Sequence, residues 1–205
     1  MTRFARSERQ GLCDTFEQVG PDGPTLCLPW RTRDLAAHLV VRERRPDVAG
    51  GILVPALAGR LERVQNDYAG WDWPKLVNEV RTGPPLWSPA SLGRVDEAMN
   101  TAEFFVHHED VLRGGLQWSA RKLPVDLEAA LWGIVSKAAR LQLARARVGV
   151  VLMAPAYGEQ QVHAKTDAGT VTITGTPGEL LLYSFGRKDV AQVDVSGSEE
   201  SLAAI

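Results

Sequence analysis

Cysteine is scarce: the chain has two, Cys13 and Cys27, in 205 residues. They lack the C-x-x-C spacing of a redox or zinc motif, and they read as free thiols of a reducing compartment. Positive charge is not in excess either. Lys and Arg number 23 against 25 Asp and Glu, a formal net charge of -2, and the basic residues are scattered among acids. That balance supplies no field for nucleic acid or anionic lipid, so neither is expected as a partner. No apolar run approaches the roughly 18 residues of a membrane span, and MTRFARSERQGL lacks the apolar block of a signal peptide, so a cytoplasmic protein is expected. Neither standard Gly-rich phosphate loop occurs, and there is no G-x-S-x-G nucleophile elbow. Internal repeats and low-complexity segments are missing as well.

What remains is a chain with 44% apolar and 23% charged residues, enough to bury one large core or two small ones. Residues Arg3 to Val19 carry Phe4, Leu12, Phe16 and Val19 among charges, an amphipathic helix that stops at Gly20-Pro21. A Pro- and Gly-rich loop then leads to Trp30. A second helix, RTRDLAAHLVVRERR, starts at Thr32, whose hydroxyl is expected to cap it. Leu35, His38, Leu39 and Arg42 share its inner stripe. A third helical region spans about Ile52 to Tyr68, interrupted by Pro55 and Gly59, and a shorter piece covers Lys75 to Thr82. After the loop GPPLWSP, capped by Ser88 or Ser91, comes the stretch MNTAEFFVHHEDVLR, read as one helix ending near Gly114-Gly115. Four helical regions turned to one core suggest a bundle.

Beyond Gln117 the texture changes. LPVDLEAALWGIVSKAARLQLARAR is an amphipathic helix, followed by the β-rich runs VGVVLMAP, QQVHAKT and TVTITG. TPGELLLYSFGR reads as a helix, VAQVDVSG as a strand and SEESLAAI as a final short helix. The expected partition is a helical domain over residues 1–118 and a small α+β domain over 119–205.

The stretch from Met99 to Arg113 carries the chemistry. Glu103 and His107, four apart, stack on one helical face. Leu92, Val95, Met99 and Val106 fall on the same half turn, which directs the carboxylate and imidazole inward. A buried carboxylate needs a partner, and a divalent metal would serve, with His38 as the third ligand. Two imidazoles and one carboxylate leave a fourth position open, as in catalytic zinc sites; nickel and iron accept the same set. The same spacing also builds a plain salt bridge, so the residues leave both readings open. His108, turned about 140° from Glu103, is read as a surface or interface residue. Asp110 has two readings: a helix-end residue paired with Arg113, which is favoured, or a hydrogen-bond partner of His107. His163 belongs to a strand of the second domain and reads as an exposed or satisfied histidine. Cys13 has no nearby base in sequence, so a nucleophilic role is poorly supported. Trp30, Trp71, Trp73 and Trp87 lie beside loops and are expected to plug the ends of the helical domain.

The run PWRTRDLAAHL, followed some sixty residues later by AEFFVHHEDV, resembles the N-terminal domain of the mycothiol-dependent maleylpyruvate isomerase family, a branch of the DinB-like metal-binding helical bundles. LLLYSFGR followed by VDVSG is similar to that family's C-terminal domain, which is related to sterol carrier proteins. The resemblance covers nearly the whole chain. It implies an α+β two-domain protein, a DinB-like four-helix bundle followed by a sterol-carrier-like unit. It also implies a divalent metal, usually zinc, on His38, Glu103 and His107, with mycothiol as the low-molecular-weight thiol approaching the open position. Arg187, in the GR pair after the last long helix, would bind the substrate. The resemblance thus points to an isomerase or thiol S-transferase acting on a small electrophilic or anionic substrate. Two other readings stand beside it: a non-enzymatic metal-stabilised binding module, and a metal-dependent hydrolase lacking an obvious general base.

Overall fold

The computed structural model describes residues 3–49, 54, 58–85, 97–164, 166–167 and 169–205. It comprises two compact units, Met1–Ser119 and Ala120–Ile205. The first is helical and the second combines helices with a four-stranded sheet, an α+β protein as expected.

In the first unit α1 (Arg3–Val19) buries Ala5, Leu12, Cys13 and Phe16 at intervals of seven, one and three, one face of a 3.6-residue period. Gly20 ends it with φ +81°, and its N–H reaches Phe16 O at 2.9 Å. The loop from Gly20 to Arg31 leads into α2 (Thr32–Arg44). Thr32 does not cap this helix. Arg31 is the N-cap, and Asp34 accepts the Arg31 N–H at 2.8 Å, the charged half of a capping box. The Thr32 hydroxyl is used instead to close the loop, donating to Gly20 O at 2.5 Å and accepting from Gly23 N at 3.1 Å. A short α3 (Pro46–Ala49) follows, then α4 (Ala58–Ala69), α5 (Trp73–Thr82) and α6 (Glu97–Leu112). The expected start of the third helical region at Ile52, the caps Ser88 and Ser91, and Leu92, Val95 and Trp87 lie outside the described residues.

One core is drawn from four of these helices: Leu12 and Phe16 of α1, Leu35 and Leu39 of α2, Leu76 and Val80 of α5, and Phe104 and Val111 of α6. Trp71 and Trp73 pack against it, Trp73 edge-on to Phe16 with ring centroids 5.6 Å apart. The α1 helix also sends Arg9 inside. Its Nη1 donates to Glu43 Oε2 at 2.7 Å and to Val80 O at 2.6 Å, while Nη2 pairs with Glu43 Oε1. The guanidinium lies 4.1 Å from the centroid of the Phe104 ring.

In the second unit α7 (Val125–Gln142) buries Leu127, Leu131, Val135 and Ala139, a strict four-residue repeat along one face. It packs on α8 (Pro177–Ser184) and on β2 (Gly158–His163). With β1 (Gly149–Ala154), β3 (Thr170–Thr174) and β4 (Asp194–Ser196), the sheet has the order β2-β1-β3-β4, β1 antiparallel to β2 and parallel to β3. Val150, Leu152, Val171 and Ile173 are fully buried, which fits the period of two. The strand expected over VAQVDVSG is shorter: β4 covers only Asp194–Ser196. The preceding residues satisfy their backbone otherwise. Val190 and Ala191 N–H groups return to Arg187 O at 3.2 and 3.0 Å, and Glu179 accepts from Gln192 N at 2.8 Å. The chain closes with α9 (Glu199–Ala203), capped by Ser198.

Candidate metal centre

The α6 helix positions the centre, and it is enclosed on more sides than an amphipathic wheel allows. Thr101, Ala102, Phe104, Phe105, Val106, His108, Glu109, Asp110 and Val111 are all buried. Met99, expected inside, is instead 56% exposed. His108, expected at the surface, is buried against α1, its Nδ1 3.0 Å from Glu8 Oε2 and its Nε2 3.0 Å from Thr15 Oγ1. The Thr15 hydroxyl donates to Gly11 O at 2.9 Å, so its proton is committed and it receives the imidazole rather than attacking anything. Gly11 makes this approach possible: a Cβ there would lie 2.7 Å from His108 Cε1.

The structure brings His38, Glu103 and His107 together. Glu103 Oε1 lies 3.2 Å from His107 Nε2 and 3.7 Å from His38 Nε2, and the two imidazole centroids are 5.7 Å apart. One ligand atom from each residue lies within 4.8 Å of the others. The spacings of 3.2 and 3.7 Å bracket the roughly 3.4 Å between two ligands held ~2.1 Å from a tetrahedral zinc. The donor set therefore fits a divalent cation, by distance and by chemistry.

Electrostatics favour the ligand form of the carboxylate. Burial pushes the Glu103 carboxyl up, but the hydrogen bonds of His107 and His38 and the Arg42 charge outweigh it and hold it well below the carboxylate range. Arg42 Nε is 3.5 Å from Glu103 Oε1, and its Nη2 is anchored on Asn100 Oδ1 at 3.1 Å. Burial lowers His107, but its hydrogen bonds to Asp110 and Glu103, the Cys27 side chain beside it and the Glu103 charge raise it well above the usual 6.5. With no metal, these partners favour the protonated form of that imidazole.

Asp110 turns to His107, the other of its two readings. Its fully buried carboxylate lies 2.9 Å from His107 Nδ1, and Arg113 pairs instead with Glu109, Nε to Oε2 at 2.6 Å. An aspartate three residues back and a glutamate four residues back both suit helical pairing, and the Arg113 guanidinium follows its own turn of helix to Glu109, where the Trp118 ring centroid lies 4.7 Å from it. Cys27 also enters this region, with Sγ 3.1 Å from Asp110 Oδ2. Cys13 does not: it is buried beside Val77, and burial pushes its thiol up to about 12.

Sequence reasoning missed Cys27 and Trp30 here. Rather than plugging an end, Trp30 sets its ring 5.1 Å from that of His38. No local spacing links either residue to α6. Arg42, by contrast, stands one turn beyond His38, a signal that could have placed it beside Glu103.

Arg187 belongs to the second unit. Its N–H reaches Leu182 O and that of Gly186 reaches Tyr183 O, both at 3.0 Å, a Schellman closure of α8 with Gly186 at φ +83°. Its side chain is half-buried, Nη1 donating to Phe185 O at 2.6 Å. His163 is half-buried on β2, and its Nδ1 has no hydrogen-bond partner among the described residues.

Fold and site together define an α+β protein whose helical unit gathers two histidines and a glutamate able to hold a divalent cation. No protein-family model and no curated protein sequence matches the chain. Its fold is that of a solved mycothiol-dependent maleylpyruvate isomerase, which it matches with a TM-score of 0.62 at 15% identity over 94% of this chain and 90% of that one. A histidine-to-alanine mutant of such an isomerase matches with a TM-score of 0.63 at 14% identity over the same shares. Among the described residues no helix is long and apolar enough to cross a membrane.

Proposed function

We propose that the chain is a member of the mycothiol-dependent maleylpyruvate isomerase family, with a divalent metal, zinc foremost, held by His38, Glu103 and His107. The observation that carries this reading is the convergence of those three side chains from α2 and α6 in a protein with that isomerase's fold. Bound there, the cation would supply Lewis acidity and lower the pKa of an incoming thiol such as mycothiol.

The chain's own residues do the rest. Glu103 stays ionised throughout the physiological range and so offers its oxygen without first losing a proton. Asp110 takes the His107 Nδ1 side, which aims Nε2 at Glu103 and the open centre. The Trp30 ring packs beside His38, with centroids 5.1 Å apart. Arg187 enters the proposal as the cation for an anionic substrate group, by resemblance alone.

The test is metal analysis of the purified protein beside His38→Ala and His107→Ala variants. Wild type is expected to hold stoichiometric metal and the variants little. Equal metal in all three would sink the reading. Wild type, Arg187→Ala and His38→Ala proteins are then assayed with mycothiol and small electrophiles, following thiol consumption and isomer formation separately.

A further inference from the structure

Cys27 sits on the loop between α1 and α2, far in sequence from α6, yet its place beside that helix is fixed from several directions. Its N–H donates to Thr25 Oγ1 at 3.1 Å, and the same hydroxyl donates to Trp30 O at 2.8 Å. The neighbouring Leu26 N–H donates to the backbone oxygen of Asp110 at 3.0 Å. Just beyond α6, Gly114 lets the loop come in: a Cβ there would stand 2.4 Å from Pro24 O and 2.7 Å from Thr25 Cα.

These anchors bring the thiol to the Asp110 carboxylate, Sγ to Oδ2 at 3.1 Å, on the oxygen that also faces His107 Nδ1 at 2.9 Å. A carboxylate is an acceptor only, so both neighbours donate to it: S–H from Cys27 and N–H from His107. Asp110 is 0% exposed, and a buried carboxylate that loses a donor has no water to replace it. Losing the thiol therefore frees the carboxylate to shift, and with it the direction in which it holds the imidazole.

We propose that Cys27 is a positioning residue for the metal centre: its thiol fixes the Asp110 carboxylate, which holds the His107 ring with Nε2 toward Glu103 and His38. Sulfur and aspartate act through the ring and do not touch the cation. The proposal rests on His107 being a ligand.

The experiment uses full-length protein stripped with chelator and titrated with cobalt(II) alone, following affinity and the absorption spectrum. Circular dichroism checks the fold of each variant. The set is wild type, His38→Ala, Cys27→Val, Cys27→Ser, Asp110→Asn and the Cys27→Val/Asp110→Asn double. Losing a group that orients a metal ligand costs about 10- to 100-fold in affinity. Cys27→Val should thus weaken cobalt binding about tenfold, Asp110→Asn at least as much, and the double variant no more than Asp110→Asn alone. Cys27→Ser keeps an O–H donor and should return to within about threefold of wild type. Unchanged affinity in Cys27→Val overturns the proposal, as does a full additional penalty in the double variant. A thiolate-to-cobalt charge-transfer band in wild type that disappears in Cys27→Ser also overturns it, because the sulfur would then be a ligand. If wild type and His38→Ala bind cobalt alike, the ligand reading falls and the proposal with it. If they differ while the Cys27 variants match wild type, only the proposal falls.

Discussion

Replacing Gly11 by alanine puts two opposing effects on one methyl group. Alanine in a helix interior is better than glycine by about 0.5–1 kcal/mol, so α1 alone would gain. The new Cβ, however, would lie 2.7 Å from His108 Cε1 and 3.3 Å from Nδ1. The ring cannot simply step aside, because it is held on opposite edges by Glu8 and Thr15, each at 3.0 Å. Moving it lengthens one of two buried hydrogen bonds, at a cost of about 1–3 kcal/mol, and overpacking adds about 1–3 kcal/mol. The net expectation is a loss of about 1–5.5 kcal/mol. Urea unfolding followed by far-UV circular dichroism measures it, with the two units fitted separately where their transitions do not coincide. Gly133→Ala on α7 is the control. Nothing lies within 4 Å of its Cβ, so it should stabilise by about 0.5–1 kcal/mol. The decisive comparison repeats Gly11→Ala in a His108→Ala background, where the clash is gone and alanine should become neutral or favourable. A Gly11→Ala protein as stable as wild type, or equally destabilised with and without the His108 ring, would refute the reasoning.

Two further outcomes follow from other groups. His107, raised well above 6.5 in the metal-free protein, must give up a proton to become a ligand, whereas Glu103 is already ionised. Apparent metal affinity should therefore keep rising with pH above 6.5, by up to about tenfold per unit, until the raised His107 value is passed, where calorimetric titration of a site with an ordinary imidazole would already level off. The metal-free protein runs the other way: the His107 contribution to stability is complete below 6.5 and fades as pH rises through its raised folded value. The Glu103 contribution is complete above 4.5 and fades on acidification, so thermal melts of metal-free protein should peak between those limits if these two groups dominate. In the core, Arg9→Leu takes the guanidinium away from Glu43, whose side chain is 3% exposed, and should cost about 3–5 kcal/mol in the same urea assay. Arg9→Leu/Glu43→Leu should recover much of that loss, and a double variant no better than the single would contradict the account.

Much of the arrangement was legible where neighbours in space are also neighbours in sequence. The α1 helix follows from its apolar spacing and the Gly20-Pro21 stop, and it has the bounds expected of it. The four-residue interval of Glu103 and His107 put both on one face, and His38 on the inner stripe of α2 made it the natural third group. What failed was the assumption of a single buried face. His108 and Met99 were assigned from a wheel with one wet side, but α1 covers the far side of α6, and Glu8 supplies the polar partner that makes a buried imidazole tolerable. Asp110 could be read in two ways from spacing alone, and only the direction taken by Arg113 decides between them. Cys27 and Trp30 were invisible because a loop, not a helical period, carries them to the centre.

The indole of Trp30 gives the centre a voice of its own. With its ring 5.1 Å from that of His38, any change in charge on that imidazole alters the field across the chromophore, so loading of the pocket should register in the emission spectrum. Cation uptake can then be followed in real time without a dye or a substrate, with Trp30→Phe identifying how much of the signal belongs to this one residue.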